Sequence, residues 1–389
     1  MASTAKHDWP MVRLGDVCHI EMGQAPKSEF TNERGEGLPL IAGAGDFTST
    51  GLSAKKYTSR PTKMAEPGDL VLSIRATIGP FRTTNAQCVL GRGVAGVRAE
   101  NGLEAKFLPH LLTFLTPALQ KKGKGATFLQ VSKRDISELE FRLPTLDEQR
   151  RIAAILDEAD RLVSTQRRKA ENLEALKRVA VEEFLNEKGT QEVELGTISE
   201  IQSGITKGRK VSKETTTSTV PYLSVSNVKD GFLQLHPIKE IDATDGEIAR
   251  YQLQRGDIVL TEGGDPDKLG RGTVWNNEIP VCIHQNHIFR VRILKDLTEM
   301  MPEVLAAILS SSRPKRHFLR SAKQTTGIAS INKSQLCRTP IPKLTLDEVR
   351  ALSLQIELLK SEQQKAESQR SSLEELRQSL STRAFQGEL

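Results

Sequence analysis

Long hydrophobic runs, paired cysteines and the usual catalytic signatures are all missing from this sequence. No apolar run approaches the ~20 residues that a bilayer span needs, and the first stretch, MASTAKHDWPMVRLGDV, has no apolar core of a signal peptide. The 4 cysteines, Cys18, Cys88, Cys282 and Cys337, are scattered, with no CxxC spacing for zinc or redox work. That usage fits a reducing compartment, so a soluble cytoplasmic protein with no membrane contact is expected. There is no GxSxG, no HExxH and no aspartate-proline-proline-tyrosine motif. Nothing assembles a nucleophile, a base and an orienting group, which favours a binding protein over an enzyme.

Three fragments imitate ligand sites. Gly91-Arg92-Gly93-Val94-Ala95-Gly96 fits GxGxxG, but no helix follows at once, as dinucleotide binding requires. Gly123-Lys124-Gly125-Ala126-Thr127 lacks the GK[ST] ending of a phosphate loop. His284 and His287 lie in a strand-like run, where i and i+3 point to opposite faces. A satisfied or exposed histidine is expected there, not a metal ligand.

What is present is charge and repetition. The chain has 389 residues, enough for two domains or more. Its hydrophobic fraction is 37% and its charged fraction 27%, as for globular domains with very polar helix attached. Lys and Arg number 55 against 49 Asp and Glu, a formal charge of +6. With a pI near 9.0, a polyanionic partner is plausible provided the cations are segregated from the acids.

The repeat fixes the architecture. Thr145-Leu146-Asp147-Glu148 recurs as Thr345-Leu346-Asp347-Glu348, and Leu173-Glu174 as Leu373-Glu374. Gly68-Asp69-Leu70-Val71-Leu72 recurs as Gly256-Asp257-Ile258-Val259-Leu260, and Pro39-Leu40 as Pro221-Tyr222. Thr127-Phe128-Leu129-Gln130-Val131-Ser132-Lys133 matches Gly327-Ile328-Ala329-Ser330-Ile331-Asn332-Lys333. The matches keep their order, so the expected plan is globular unit, long helix, globular unit, long helix. In residues it reads 1–144, 145–187, 188–343 and 344–389. The Phe107–Leu119 stretch has helical spacing, and Pro302–Leu319 takes its place in the second copy.

Both long segments carry an apolar seam at 3–4 spacing, the mark of a coiled coil. In the first it takes Ile152, Ile155, Ala159, Leu162, Leu173, Leu176 and Ala180, interrupted by Gln166 and Lys169. In the second it takes Leu352, Leu359, Ala366, Leu373, Leu376 and Leu380, interrupted by Gln355, Glu362 and Gln369. A helix polar over most of its circumference needs a partner, and the other copy is nearest to hand. About 40 residues of helix span roughly 60 Å. Such a spacer suits half-sites on DNA ~34–36 Å apart or somewhat more.

Candidate nucleic-acid contacts gather in loops. The first unit offers Lys121, Lys122, Lys124, Lys133 and Arg134. The second offers Lys207, Arg209 and Lys210, then Lys268 and Arg271, then Arg313, Lys315, Arg316, Arg320, Lys323 and Lys333. Cations on phosphates position a protein; Arg, Asn, Gln, Ser and Thr at base edges specify sequence.

This combination resembles the specificity subunit of type I restriction–modification systems. The residues that carry the likeness are RLPTLDEQRRIAAIL after a SKRDISELEF-type strand, the Gly68–Leu72 motif with its copy, and the closing LRQSLSTRAFQGEL. The second copy departs from the pattern, with Val349 where the first has Gln149. The resemblance implies an α+β chain of two mixed α/β target-recognition domains. Each is followed by a long helix, and the helices pair as an antiparallel coiled coil with pseudo-two-fold symmetry. It implies a non-catalytic reader of a split double-stranded DNA sequence. Its partners would be two adenine-N6 methyltransferase subunits and, through them, two ATP-dependent endonuclease (translocase) subunits. S-adenosylmethionine, ATP and Mg²⁺ would belong to those partners, with no cofactor in this chain. A fused or relict methyltransferase or nuclease module, and a coiled-coil adaptor without DNA function, are the alternatives.

Overall fold

The structure is a computed structural model and describes residues 9–125, 129–188, 191–210, 216–265, 269–325 and 328–389. Its two compact units are residues 1–166 with 368–389, and residues 167–367. Each unit therefore holds one end of each long helix.

In the first unit a four-stranded antiparallel sheet is built from β1 (Cys18–Met22), β2 (Leu70–Ser73), β3 (Phe81–Thr83) and β4 (Val94–Ala99). The spatial order is β1-β4-β2-β3. All four residues of β2 are buried, as expected of an apolar run in a sheet covered on both sides. The second unit repeats the order with β5 (Ser199–Ser203), β6 (Ile258–Thr261), β7 (Gly272–Val274) and β8 (Ile288–Ile293), arranged β5-β8-β6-β7. A second sheet in each unit contains one parallel pair. Leu40 and Ile41 lie beside Val89 and Leu90 in one unit; Tyr222 and Leu223 lie beside Ile283 and His284 in the other. The Pro39-Leu40 and Pro221-Tyr222 match of the sequence is thus a match of strands.

The Leu108–Lys121 helix starts with Pro109 in its first turn and tolerates Pro117 inside it. Its counterpart is not one helix. Pro302–Leu309 and Ser312–Ser321 are separate, broken at Ser310 and Ser311. The Ser311 hydroxyl donates back to the Ile308 carbonyl at 2.6 Å, a local bond of the kind that competes with helix continuation.

The long helices run Leu146–Lys188 and Leu346–Gln386. Both begin with the repeated capping box. Thr145 N–H donates to Glu148 Oε2 at 3.0 Å, and Thr345 N–H to Glu348 Oε2 at 2.9 Å. Gln149 is buried, donating to the carbonyls of Gly102 and Pro144 and accepting from Glu104 N–H. Val349 takes this position in the second unit and packs into the apolar core instead. That accounts for the departure between the copies.

Within each unit the two helix ends lie antiparallel. In the first, Arg151 bonds the Leu389 carbonyl while Asp160 accepts from Arg377 at 2.9 Å. In the second, Lys169 meets Glu362 at 3.7 Å, while Val181 and Leu185 share a core with Val349, Leu352 and Ile356. The seams advance by fours and threes. Ile152, Leu156 and Ala159 are buried on the first helix within the first unit, then Ala170 and Ala180 within the second. On the other helix the second unit takes Val349, Leu352, Ile356, half-buried Leu359 and Ala366, and the first takes half-buried Leu373 and Leu380.

Two residues placed on the seam by spacing are not on it. Leu176 is 52% exposed and Leu376 51%; each lies three residues past a seam leucine where the heptad step is four. Ile155 and Leu162 are half-buried flanking positions beside Leu156 and Val163. Gln166 does face inward, with Oε1 buried and unpaired among the described residues, as is Nε of Arg370.

The first unit's core joins β1, β2 and β4 to the Leu108–Lys121 helix and the helix ends through Ile20, Leu72, Phe107, Leu111 and Leu156. Phe385 completes it, stacked on Phe114 with ring centroids 4.4 Å apart. The second unit's core does the same through Leu260, Phe289, Ile308, Phe318, Val181 and Leu352.

Candidate nucleic-acid interface

An ion pair on a buried aspartate anchors the same corner of each sheet. Asp69, in the turn before β2, accepts from Arg98 on β4 at 2.6 and 2.7 Å, and from Glu66 N–H at 2.8 Å. Asp257 accepts from Arg292 on β8 at 2.7 and 2.7 Å, and from Gln254 N–H at 2.7 Å. Hydrogen bonding to Asp257 holds the Arg292 guanidinium above its usual pKa. Gly68 and Gly256 precede these aspartates at φ +94° and +93°, backbone that glycine takes without strain. The Gly-Asp motif of the sequence is therefore a turn-and-clamp device that fixes where the next strand begins.

At the other ends of β2 and β6, loops converge. In the first unit Ile74 follows β2 and accepts from Val131 N–H at 3.1 Å, while Ala76 N–H donates to Leu129 at 2.8 Å. Lys124 and Gln130 exchange both backbone bonds at 3.0 and 2.9 Å. Ser132 then caps the short Lys133–Ser137 helix through a box with Asp135. The Asp135 carboxyl sits below its usual pKa, held first by the Ser132 hydroxyl and backbone, with Lys124 and Lys122 close enough to add to it. Lys122 and Lys124 thus lie beside the cap that starts this helix, with exposed Lys121 just before them in the chain and exposed Lys133 opening the helix. Arg134 is on the helix too, but its guanidinium is committed to Glu138 at 2.7 Å.

In the second unit Ile331 N–H donates to Glu262 at 3.0 Å, the counterpart of the Val131–Ile74 bond. Gly263–Gly264, Ile328–Ser330 and Lys323–Thr325 form a three-stranded ladder there. Asn332 caps the Lys333–Cys337 helix as Ser132 does its own. The loop after β5 joins the same edge. Asn286 N–H bonds the Ile205 carbonyl at 2.9 Å, and Glu262 N–H bonds His287 at 3.0 Å. Lys207, Lys210, Arg320, Lys323 and Lys333 are all exposed.

Several cations of the sequence have other duties. Arg209 is clamped to Glu247 at 2.5 and 2.6 Å, and this bond pulls the Glu247 pKa down to about 2. Arg313 pairs with Glu192 at 2.6 Å, and Lys315 with Asp230 at 3.4 Å. Arg316 donates to Ser312 Oγ at 3.0 Å, and Arg271 is half-buried. Lys268 lies outside the described residues. Arg75 and Arg92, which the sequence did not single out, are exposed beside the first ladder; each is a lone cation, without the clustering that marked the others.

The imitations of ligand sites resolve structurally. Gly91 and Gly93 pack on the Ile41–Gly43 backbone, where a Cβ on Gly93 would fall 2.2 Å from the Ala42 carbonyl oxygen. His284 is buried, its Nδ1 2.9 Å from the Tyr251 carbonyl, and burial pushes its pKa down to about 4. His287 pairs with Glu262 at 2.7 Å. No cluster of three metal-ligating side chains occurs among the described residues, and no helix there is long and apolar enough to cross a membrane.

Part of the chain matches a known protein family. Residues 6–175 match the model of the type I restriction modification DNA specificity domain. The putative type I restriction enzyme MjaX specificity subunit of Methanocaldococcus jannaschii is 31% identical over 44% of this chain. The match spans 41% of that relative, less than half its length. The type I restriction enzyme EcoKI specificity subunit of Escherichia coli K12 is 23% identical over 98% of this chain and 89% of its own. Among solved structures, the S subunit of a type I restriction–modification system from M. genitalium aligns over 99% of this chain and 98% of that one. Its TM-score is 0.53 at 16% identity, a likeness of fold.

Proposed function

We propose that this chain, which belongs to the type I restriction–modification specificity-subunit family, addresses a larger complex to a bipartite DNA sequence. Each globular unit reads one half, and the long helices set the unspecified gap. The observation that carries this reading is the repeated cationic ladder. After the same strand each unit brings three segments side by side, through single bridges in the first and paired strands in the second, followed by the same capped short helix with an exposed lysine at its start, Lys133 or Lys333. Lysines at such edges neutralise phosphates, and doubling them within one chain supplies two half-sites.

The chain acts without an active site of its own. Adenine-N6 methyltransferase subunits dock on it and bring S-adenosylmethionine; ATP-dependent endonuclease subunits join through them with ATP and Mg²⁺. The site of action is the cytoplasm, where the DNA is. Methylation mapping of DNA exposed to the chain with its methyltransferase partner tests the reading. The expected result is adenine methylation confined to one split sequence with a fixed gap. Methylation without sequence preference refutes it, and methyl transfer by the isolated chain refutes the non-catalytic role.

A further inference from the structure

The two ladders are equivalent in backbone but not in the side chains they carry. Matching the Val131–Ile74 bond to the Ile331–Glu262 bond aligns Arg75 with Gly263 and Gln130 with Ser330. The row across the first ladder is Arg75, Gln130, Lys124. The row across the second is Gly263, Ser330, Lys323. The lysine is common to both rows; the other two positions differ.

Geometry places the first row's side chains together. The bonds Ala76 N–H to Leu129 and Val131 N–H to Ile74 flank Arg75 and Gln130, which makes them a non-hydrogen-bonded antiparallel pair, the closer of the two kinds. Residues directly opposite in a ladder present side chains on one face. Arg75 and Gln130 are exposed, and neither side chain has a hydrogen-bond or ionic partner among the described residues.

The turn that holds Arg75 is rigid. Ala76 adopts φ +61°, a conformation that costs a non-glycine residue and persists only when its surroundings enforce it. Here they do. Ser73 Oγ donates to the Thr77 carbonyl at 2.6 Å, Gly79 N–H to Ser73 at 3.0 Å, and Gln120 Nε2 to Ile78 at 2.9 Å. In the second unit this position cannot carry a comparable side chain. A Cβ on Gly263 would lie 2.9 Å from the Ala329 carbonyl oxygen and 3.2 Å from Ser330 Cβ.

We infer that Arg75 and Gln130 read bases in the half-site of the first unit, while Lys124 and Lys323 hold phosphate in both. Phosphate is the same in every half-site, so a contact to it can be common to the two units. Bases differ between half-sites, so the groups that read them must differ too. The guanidinium fork of Arg75 matches the O6 and N7 acceptors of guanine, and the Gln130 amide matches N6 and N7 of adenine. The inference rests on the DNA-addressing role proposed above.

The test uses the full chain with its methyltransferase partner on a randomised bipartite DNA library, with methylated sequences counted. Arg75→Ala and Gln130→Ala should relax preference at one or two base positions about tenfold or more, all within one half-site. Arg75→Lys should relax it too, since it keeps the charge and loses the fork. Lys124→Ala and Lys323→Ala should lower methylation evenly across sequences and each reduce the salt slope of binding by about 1. Unchanged preference in both Arg75 variants and in Gln130→Ala, or altered preference in both half-sites, overturns the inference while leaving the addressing role intact. A wild-type complex without any sequence preference overturns both.

Discussion

Replacing Asp257 by alanine tests whether the Gly-Asp clamp is what fixes the second sheet. The carboxylate is 1% exposed and accepts three bonds, two from the Arg292 fork and one from Gln254 N–H. Breaking a buried pair from one side costs about 3–5 kcal/mol, because the remaining charge loses its partner in a dry site. Arg292 keeps 26% exposure and so recovers some hydration, which sets the expectation at about 3 kcal/mol. Arg98, the partner in the first unit, is 43% exposed, and Asp69→Ala should cost less, about 2 kcal/mol. The two units need not unfold together, so local amide exchange is a better reading than one global melt. In Asp257→Ala the amides of Leu260 and Phe289 should exchange about a hundredfold faster, the rate equivalent of about 3 kcal/mol. Those of Leu72 and Val97 should hardly change. A loss below about 1 kcal/mol, or a larger effect for Asp69→Ala, refutes the reasoning.

His284 gives a pH dependence. Its folded pKa is about 4 against an ordinary 6.5, so the unfolded chain binds the extra proton between those values. Stability should be full above about 6.5 and fall as pH drops towards 4, by about 3 kcal/mol in all; a urea midpoint series that is flat over that range contradicts it. On the first long helix, Leu156→Ala should lower stability by about 3 kcal/mol, whereas Leu176→Ala should stay within about 0.5 kcal/mol. Equal effects in denaturant melts would return Leu176 to the seam. Arg209→Ala should leave the salt slope of DNA binding unchanged, since its guanidinium is committed to Glu247; a slope reduced by about 1 would put it on phosphate.

The architecture was legible because the chain says it twice. Gly68-Asp69 and Gly256-Asp257 need no alignment of relatives to stand out, and positive φ with a buried carboxylate gives both copies the same physical task. The repeat of Thr145–Glu148 as Thr345–Glu348 was equally plain, and the structure shows each to be a capping box. The seams were harder. Leucine has strong helix propensity whether or not it is buried, so Leu176 and Leu376 continue a run of leucines without continuing the interface. The true steps pass through Lys177 and Arg377, whose stems pack while their charges pair with Glu174 and Asp160. A leucine count cannot see a seam position filled by a long cation.

The cations show the same limit from the other side. Lysine and arginine could be counted, but a charge is available to DNA only when nothing in the fold has claimed it. Arg209, Arg313 and Lys315 are claimed by Glu247, Glu192 and Asp230. The partners of Arg209, Arg313 and Lys315 are remote in sequence, so no window around the cation reveals them. Arg75 is the converse. It stands alone in an apolar stretch, and only the fold brings Gln130 and Lys124 alongside it. Sequence clustering therefore suits cations that would neutralise phosphate, a task done by number. On the reading proposed above, it passes over the groups that would discriminate between bases, which work by being singly placed on a rigid support.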